Sequence, residues 1–375
     1  MAHVKVYFGT NRLVEREKPA RFGDPYNAEK PYCFRVGEVN VKKVGDSWRD
    51  ADKAFRCGRP KLYPEAKGDE DAPPVLGSAT LFQELRREML ENERDALVFL
   101  HGFANTFESA MERAAELGAQ YLSAGAGRRG KPPLVFAFSW PSDGKTFGLA
   151  GGADGDDRRR WAYTSDRQDA RASGAAMARC ALRMFDYLAQ LAADERCGQR
   201  VHLVAHSMGA WALRHAVQDL KETAEEANAP LRRIFDNAFL MAADLEDDAL
   251  EREEWLAPLL RLARRVHVYH AENDTALSLS DIKPGQGARL GHYGPANMTR
   301  LNDRVAAVDC SDVSWTPAPL HVRHQYYRIA PEVVADVREA LAGEAPSRIK
   351  RRVDLGGGRY RLRHDEKARK ALRKE

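Results

Sequence analysis

A serine stands between an apolar run and a helical stripe, and that arrangement governs the reading of the rest of the chain. The run is Val201-His202-Leu203-Val204-Ala205-His206, with Ser207-Met208-Gly209 behind it. Val201–Ala205 has the composition of a strand buried on both faces, as in a parallel sheet. Beyond Gly209, Leu213, Ala216, Val217 and Leu220 fall at i, i+3, i+4 and i+7, one face of a helix. Strand, tight turn holding serine, then helix is the layout of a nucleophile elbow. So sharp a turn needs small neighbours, which Ala205 and Gly209 supply. The hydroxyl then stands at the carboxyl end of the strand. Behind it the helix start offers a free N–H, that of Met208, and the positive end of a dipole. The competing reading is an ordinary serine-capped helix, which the strand before it disfavours.

The same alternation recurs along the chain. Ala96–Leu100, Pro133–Trp140, Ile234–Ala243, Val266–His270 and Arg304–Val308 read as short buried strands. Thr106–Ser123, Ser165–Ala193, Asp247–Ala263 and a segment opened by Pro331 read as helices between and after them. Repeated β-α units predict an α/β fold with a doubly wound, mostly parallel sheet. Val4–Phe8, ended by Gly9-Thr10-Asn11-Arg12, and the alternating Val36–Val41 predict an antiparallel N-terminal edge. A helix is expected over Ser78–Asn92. The expected organisation is one domain over 1–346, with surface insertions at 45–77 and 143–161, and a basic extension over 347–375.

Charge and cysteine content narrow the classes. The whole chain of 375 residues carries +4, but residues from Ser347 onward hold twelve Lys/Arg against four Asp/Glu. The body is therefore slightly acidic, which argues against a nucleic-acid-binding core. The extension suits an acidic partner or an anionic surface, or is a solvated tail. Ile349–Leu355, Gly356-Gly357-Gly358 and Arg359–Arg363 could pair as a small hairpin. Cys33, Cys57, Cys180, Cys197 and Cys310 are odd in number and lack zinc-ligand spacing. Reduced thiols and a cytoplasmic location are the simplest expectation. Neither a secretory h-region nor a transmembrane-length apolar run is present, and no metal or organic cofactor is called for.

Ligands of such sheets bind beyond the carboxyl ends of the strands. His101-Gly102-Phe103 follows one strand, and the N–H of Phe103 or Ala104 could pair with that of Met208 to hold an oxyanion. Asp274 and Asp244 each follow a strand, and each could cap a helix or orient an imidazole. His321 and His324 both lie between the last strand and the last helix, where a loop can return to the elbow. His292, earlier and in a glycine-rich loop, fits less well. Serine, then carboxylate, then histidine is the chain order of this architecture. Residues 143–161 are glycine-rich, hold a basic run, Arg158-Arg159-Arg160, and could overhang the site, but they lack the apolar face of a lid that opens on lipid.

Taken together, these residues resemble the α/β-hydrolase superfamily, and more narrowly a bacterial esterase/lipase-like family of uncharacterised function. The matching stretches are Val6–Arg12, Val98–Phe103, Phe138–Ser142, Tyr163–Arg167, Ala205–Gly209, Asn273–Leu277 and His324–Tyr327, in order from residue 4 to residue 342. The resemblance implies Ser207 as nucleophile and His324 as base, with Asp274 after the strand that usually carries the acid and Asp244 after the one that does so in some relatives. It also implies a small-molecule ester as substrate, cleaved through an acyl-enzyme. An acyltransferase would use the same intermediate, and some proteins of this fold bind ligands or partners without catalysis.

Overall fold

Strands buried on both faces need two covering layers, and the computed structural model of the protein shows them. It describes residues 3–45, 53–65, 76–121, 130–144, 153–191, 198–277, 287–314, 323–366 and 370, with side chains from 161 onward in the fifth segment. The strands are β1 (His3–Thr10), β2 (Arg12–Glu17), β3 (Ala20–Tyr26), β4 (Arg35–Lys43), β5 (Phe55–Cys57), β6 (Lys61–Leu62) and β7 (Ala96–Leu100). There follow β8 (Leu134–Ser139), β9 (Val201–His206), β10 (Phe235–Met241), β11 (Ala263–His270), β12 (Val305–Asp309), β13 (Arg352–Gly356) and β14 (Arg359–Leu362). The helices are α1 (Gly77–Asn92), α2 (Phe107–Gln120), α3 (Ala153–Ala172), α4 (Gly174–Gln190) and α5 (Met208–Glu226). Three more turns of helix, α6 (Leu259–Leu262), α7 (Leu290–Tyr293) and α8 (Tyr326–Ile329), precede α9 (Pro331–Leu341).

One sheet runs β13-β14-β12-β11-β10-β9-β7-β8-β1-β4-β5, with β6 also on β4. From β14 to β1 every pairing is parallel; β4 and β13 pair antiparallel at the two ends. Alternate residues of a strand face opposite layers. Val204, Phe239 and Tyr269 pack with α2 and α9, and Leu203, Ala205 and Leu240 pack with α4 and α5. The fold class expected from the β-α rhythm is the one observed.

Three segments differ from the expectation. The turn after β1 leads into a separate hairpin, β2–β3. The long helix expected over Ser165–Ala193 is two helices, α3 starting earlier and α4 beginning at Gly174. Gly174 lies so close to α5 that a Cβ would stand 2.7 Å from the His215 Cβ, so the chain turns there to pack. Instead of a helix over Asp247–Ala263 there are turns and the short α6, because Ala263 already pairs with Phe235 as the start of β11. Residues 352–362 form the hairpin allowed by their triple glycine, and it joins the sheet through β12.

That hairpin is anchored by charge. Arg352 is buried and donates two 2.8 Å bonds to the Asp336 carboxylate on α9, which also accepts from the Tyr269 hydroxyl. Arg361 pairs with Asp309 and Arg351 with Glu339. Breaking a buried pair such as Arg352–Asp336 from one side costs about 3–5 kcal/mol. His321 and residues 145–152 of the 143–161 segment lie outside the described residues.

Candidate active site

Because β1 and β7 to β11 run parallel, their carboxyl ends form one rim, carrying Arg12, His101, Trp140, Ser207, Asp244 and Asp274. Ser207 leaves β9 with φ 53° and ψ −124°, a conformation that is costly for a residue bearing a side chain. Its neighbours explain how the strain is held. A Cβ at Gly209 would lie 2.5 Å from the Leu100 carbonyl oxygen and 2.6 Å from that of His101, so only glycine fits. The Ser207 N–H donates to the Met241 carbonyl at 2.9 Å. The Ser207 carbonyl accepts from the N–H groups of Ala210 and Asp244. The elbow is thus tied to β10 and to the first turn of α5, and Ser207 remains 7 % exposed.

His324 is brought to this rim by the segment before α8. Its Nδ1 lies 2.7 Å from Asp274 Oδ2. Its carbonyl oxygen is 3.1 Å from Nε2 of His206, the residue preceding Ser207, and the two rings are 4.7 Å apart. With Nδ1 on the carboxylate, Nε2 is the nitrogen left for chemistry. Asp274 is fully buried, and its Oδ1 accepts from the N–H groups of Ala276 and Leu277. The cap and the imidazole partner that the sequence offered as alternatives are therefore one residue using two oxygens.

Asp244 has other company. It accepts from the Tyr163 hydroxyl, and its Oδ1 is 3.5 Å from Nε of buried Arg289. Arg167 donates to the same Tyr163 oxygen at 3.0 Å. His292 is engaged at 2.6 Å with the Glu272 carbonyl.

The turn after β7 faces the elbow. A Cβ at Gly102 would be 3.0 Å from the Ser207 Cβ, so glycine permits the approach. Of the two amides that the sequence left open, that of Ala104 donates to Asp166 Oδ2 at 3.1 Å, whereas that of Phe103 makes no hydrogen bond among the described residues. Met208 is the first residue of α5, so its N–H has no partner within the helix. Burial holds the His101 imidazole far below its ordinary pKa, at about 3, and hence neutral. Burial, and secondarily His324, also lowers His206.

No group of three or more His, Cys, Asp or Glu among the described residues is arranged for a metal ion, and no described helix is long and apolar enough to cross a membrane. A family model described as an α/β hydrolase of unknown function (DUF900) matches residues 78–343. The chain belongs to this family. Comparison with curated proteins and with solved structures gives no match.

In this α/β hydrolase, several rim residues had no chemical role assigned from the sequence. Buried Arg12 donates to Ser139 Oγ at 3.0 Å, the Ser142 carbonyl at 3.1 Å and the Asn105 carbonyl at 2.7 Å. Desolvation lowers its pKa to about 10. Asp166 accepts from Ser142 Oγ as well as from Ala104, and burial raises its pKa. Arg12, Ser139, Ser142 and Asp166 all lie in stretches that carried the family resemblance. Local pattern held no signal for their roles, since Arg12, two residues beyond β1, looks like any strand-end charge.

Proposed function

We propose that this protein is a serine hydrolase that cleaves carboxylic esters through an acyl-enzyme on Ser207. The observation that carries the reading is the 2.7 Å His324–Asp274 contact beside a strained serine elbow. Ser207 Oγ attacks the ester carbonyl carbon, and its proton passes to His324 Nε2. Asp274 fixes the imidazole tautomer and stabilises the imidazolium. The N–H groups of Phe103 and Met208 hold the oxyanion. The tetrahedral species collapses as the C–O bond to the leaving alcohol breaks, and His324 returns the proton to that oxygen. Water, deprotonated by His324, then attacks the acyl carbon, releases the acid and restores Ser207.

The test is labelling with a fluorophosphonate probe, the adduct mapped by mass spectrometry, alongside hydrolysis of short-chain p-nitrophenyl esters. The adduct is expected on Ser207. Ser207→Ala is expected to lose both labelling and turnover while keeping the thermal midpoint within a few degrees. Turnover surviving that change, or an adduct elsewhere, removes Ser207 from the mechanism.

A further inference from the structure

Two successive peptide planes in the turn between β7 and α2, Gly102–Phe103 and Phe103–Ala104, are each pinned differently. The carbonyl of Phe103 accepts from Asn105 Nδ2 at 2.9 Å, and the N–H of that same plane, on Ala104, is held by Asp166. Both ends of this plane are engaged. The Gly102 carbonyl also accepts from Asn105 Nδ2 at 2.9 Å and lies 2.9 Å from His101 Nδ1. In a trans peptide the C=O and N–H point in opposite directions. Pinning the Gly102 oxygen on the far side therefore leaves the Phe103 N–H directed away from Asn105, on a plane whose glycine abuts Ser207.

Asn105 is itself fixed. Its carbonyl accepts from Arg12, its N–H donates to Ser142 Oγ at 3.0 Å, and its Oδ1 accepts from Ser109 Oγ at 3.3 Å. The carbonyls of Gly102 and Phe103 can only accept, so the NH2 end of the amide must be the one that faces them. We propose that Asn105, clamped by Arg12, is a positioning residue that aims the Phe103 N–H at the oxyanion formed on Ser207. This rests on the reading of Ser207 as a nucleophile.

The first readout does not need activity. A crystal structure of Asn105→Asp is expected to show the Gly102–Phe103 peptide rotated, because a carboxylate repels both carbonyls that the amide held. An unrotated peptide overturns the clamp. The second readout is catalytic, normalised to active sites titrated by fluorophosphonate so that unfolded protein is not counted. Asn105→Ala is expected to lower kcat on a short-chain p-nitrophenyl ester about 10²-fold, the scale of losing one oxyanion donor, with KM within about twofold. Affinity for phenylboronic acid, whose adduct on serine is tetrahedral, should fall about tenfold or more by the same argument. Arg12→Lys, which keeps the charge but loses the fork, should give a smaller loss with the same split between kcat and KM. Retention of kcat and boronate affinity in Asn105→Ala, or a rise in KM alone, overturns the proposal. A wild-type protein that neither labels nor turns over would defeat the Ser207 reading instead, and the peptide rotation would still judge the clamp.

Discussion

Asp274 and Asp244 stand at the ends of neighbouring parallel strands, both buried, and their surroundings differ in kind. Asp274 meets an imidazole, a group able to take up and return a proton near neutral pH. Asp244 meets a phenol and guanidinium groups, which hold their protons there. Burial raises the Tyr163 hydroxyl far above its usual pKa, and Asp244 beside it adds to the effect. The first arrangement can stabilise an imidazolium, whereas the second can only fix α3 and the Arg289 segment against the rim. A carboxylate at a strand end is thus assigned its work by the side chain that meets it.

The largest effect should come from the first of the pair. On the reading of Ser207 and His324 as nucleophile and base, Asp274→Asn is expected to reduce kcat about 10³–10⁴-fold, because the amide can favour the wrong imidazole tautomer. Steady-state hydrolysis and the rate of fluorophosphonate labelling should fall together. If Asp244→Asn gave that loss and Asp274→Asn did not, the comparison would be inverted. Asp244→Asn should instead leave kcat within about tenfold and lower stability by about 3 kcal/mol, the low end for removing one partner of a buried pair. The low end applies because Glu246, 3.6 Å from Arg289, still faces that cation. Chemical denaturation monitored by tryptophan fluorescence measures it. Tyr163→Phe is expected to cost less, about 1.5 kcal/mol for one hydrogen bond to a charged acceptor.

The difference between these two sites was invisible in the sequence for a physical reason. Both carboxylates follow apolar strands and both suit a helix cap, and local pattern carries no more than that. Their partners arrive from far along the chain, His324 fifty positions after Asp274 and Tyr163 eighty-one before Asp244. The elbow was legible because its strand, serine, glycine and helix are contiguous, and steric demands at Gly209 act on that same stretch. Arg12 and Asn105 were not, since a buried arginine bonding to three backbone and side-chain oxygens looks in sequence like any strand-end charge. The C-terminal hairpin was half legible: the glycines announced a turn, but the buried Arg352–Asp336 pair that docks it joins residues on two elements.

A third carboxylate, Asp169 on α3, extends the comparison to a group that meets no imidazole and feels the Arg12 guanidinium only through its field. No hydrogen bond reaches its carboxylate among the described residues, and burial, with Asp166 and Asp143 adding to it, raises its pKa to about 6. In the unfolded chain the same group titrates near 3.8. Between those values the native state binds more protons than the unfolded one, so this group makes stability fall as pH rises from about 4 to about 6. Above that window the full penalty remains. Asp169→Asn removes a charge that the fold disfavours and should therefore raise the thermal midpoint at pH 7.5 by about 1 °C, about 1 kcal/mol once solvent screening of a half-buried group is allowed for. The gain should shrink towards zero at pH 4, where the wild-type carboxyl is already protonated in the native state. A scan of thermal midpoints for both proteins from pH 4 to pH 8 measures this. A gain that is equal at every pH would mean that Asn packs better for reasons unrelated to charge, and a loss at pH 7.5 would mean that Asp169 draws more from Arg12 than burial takes away.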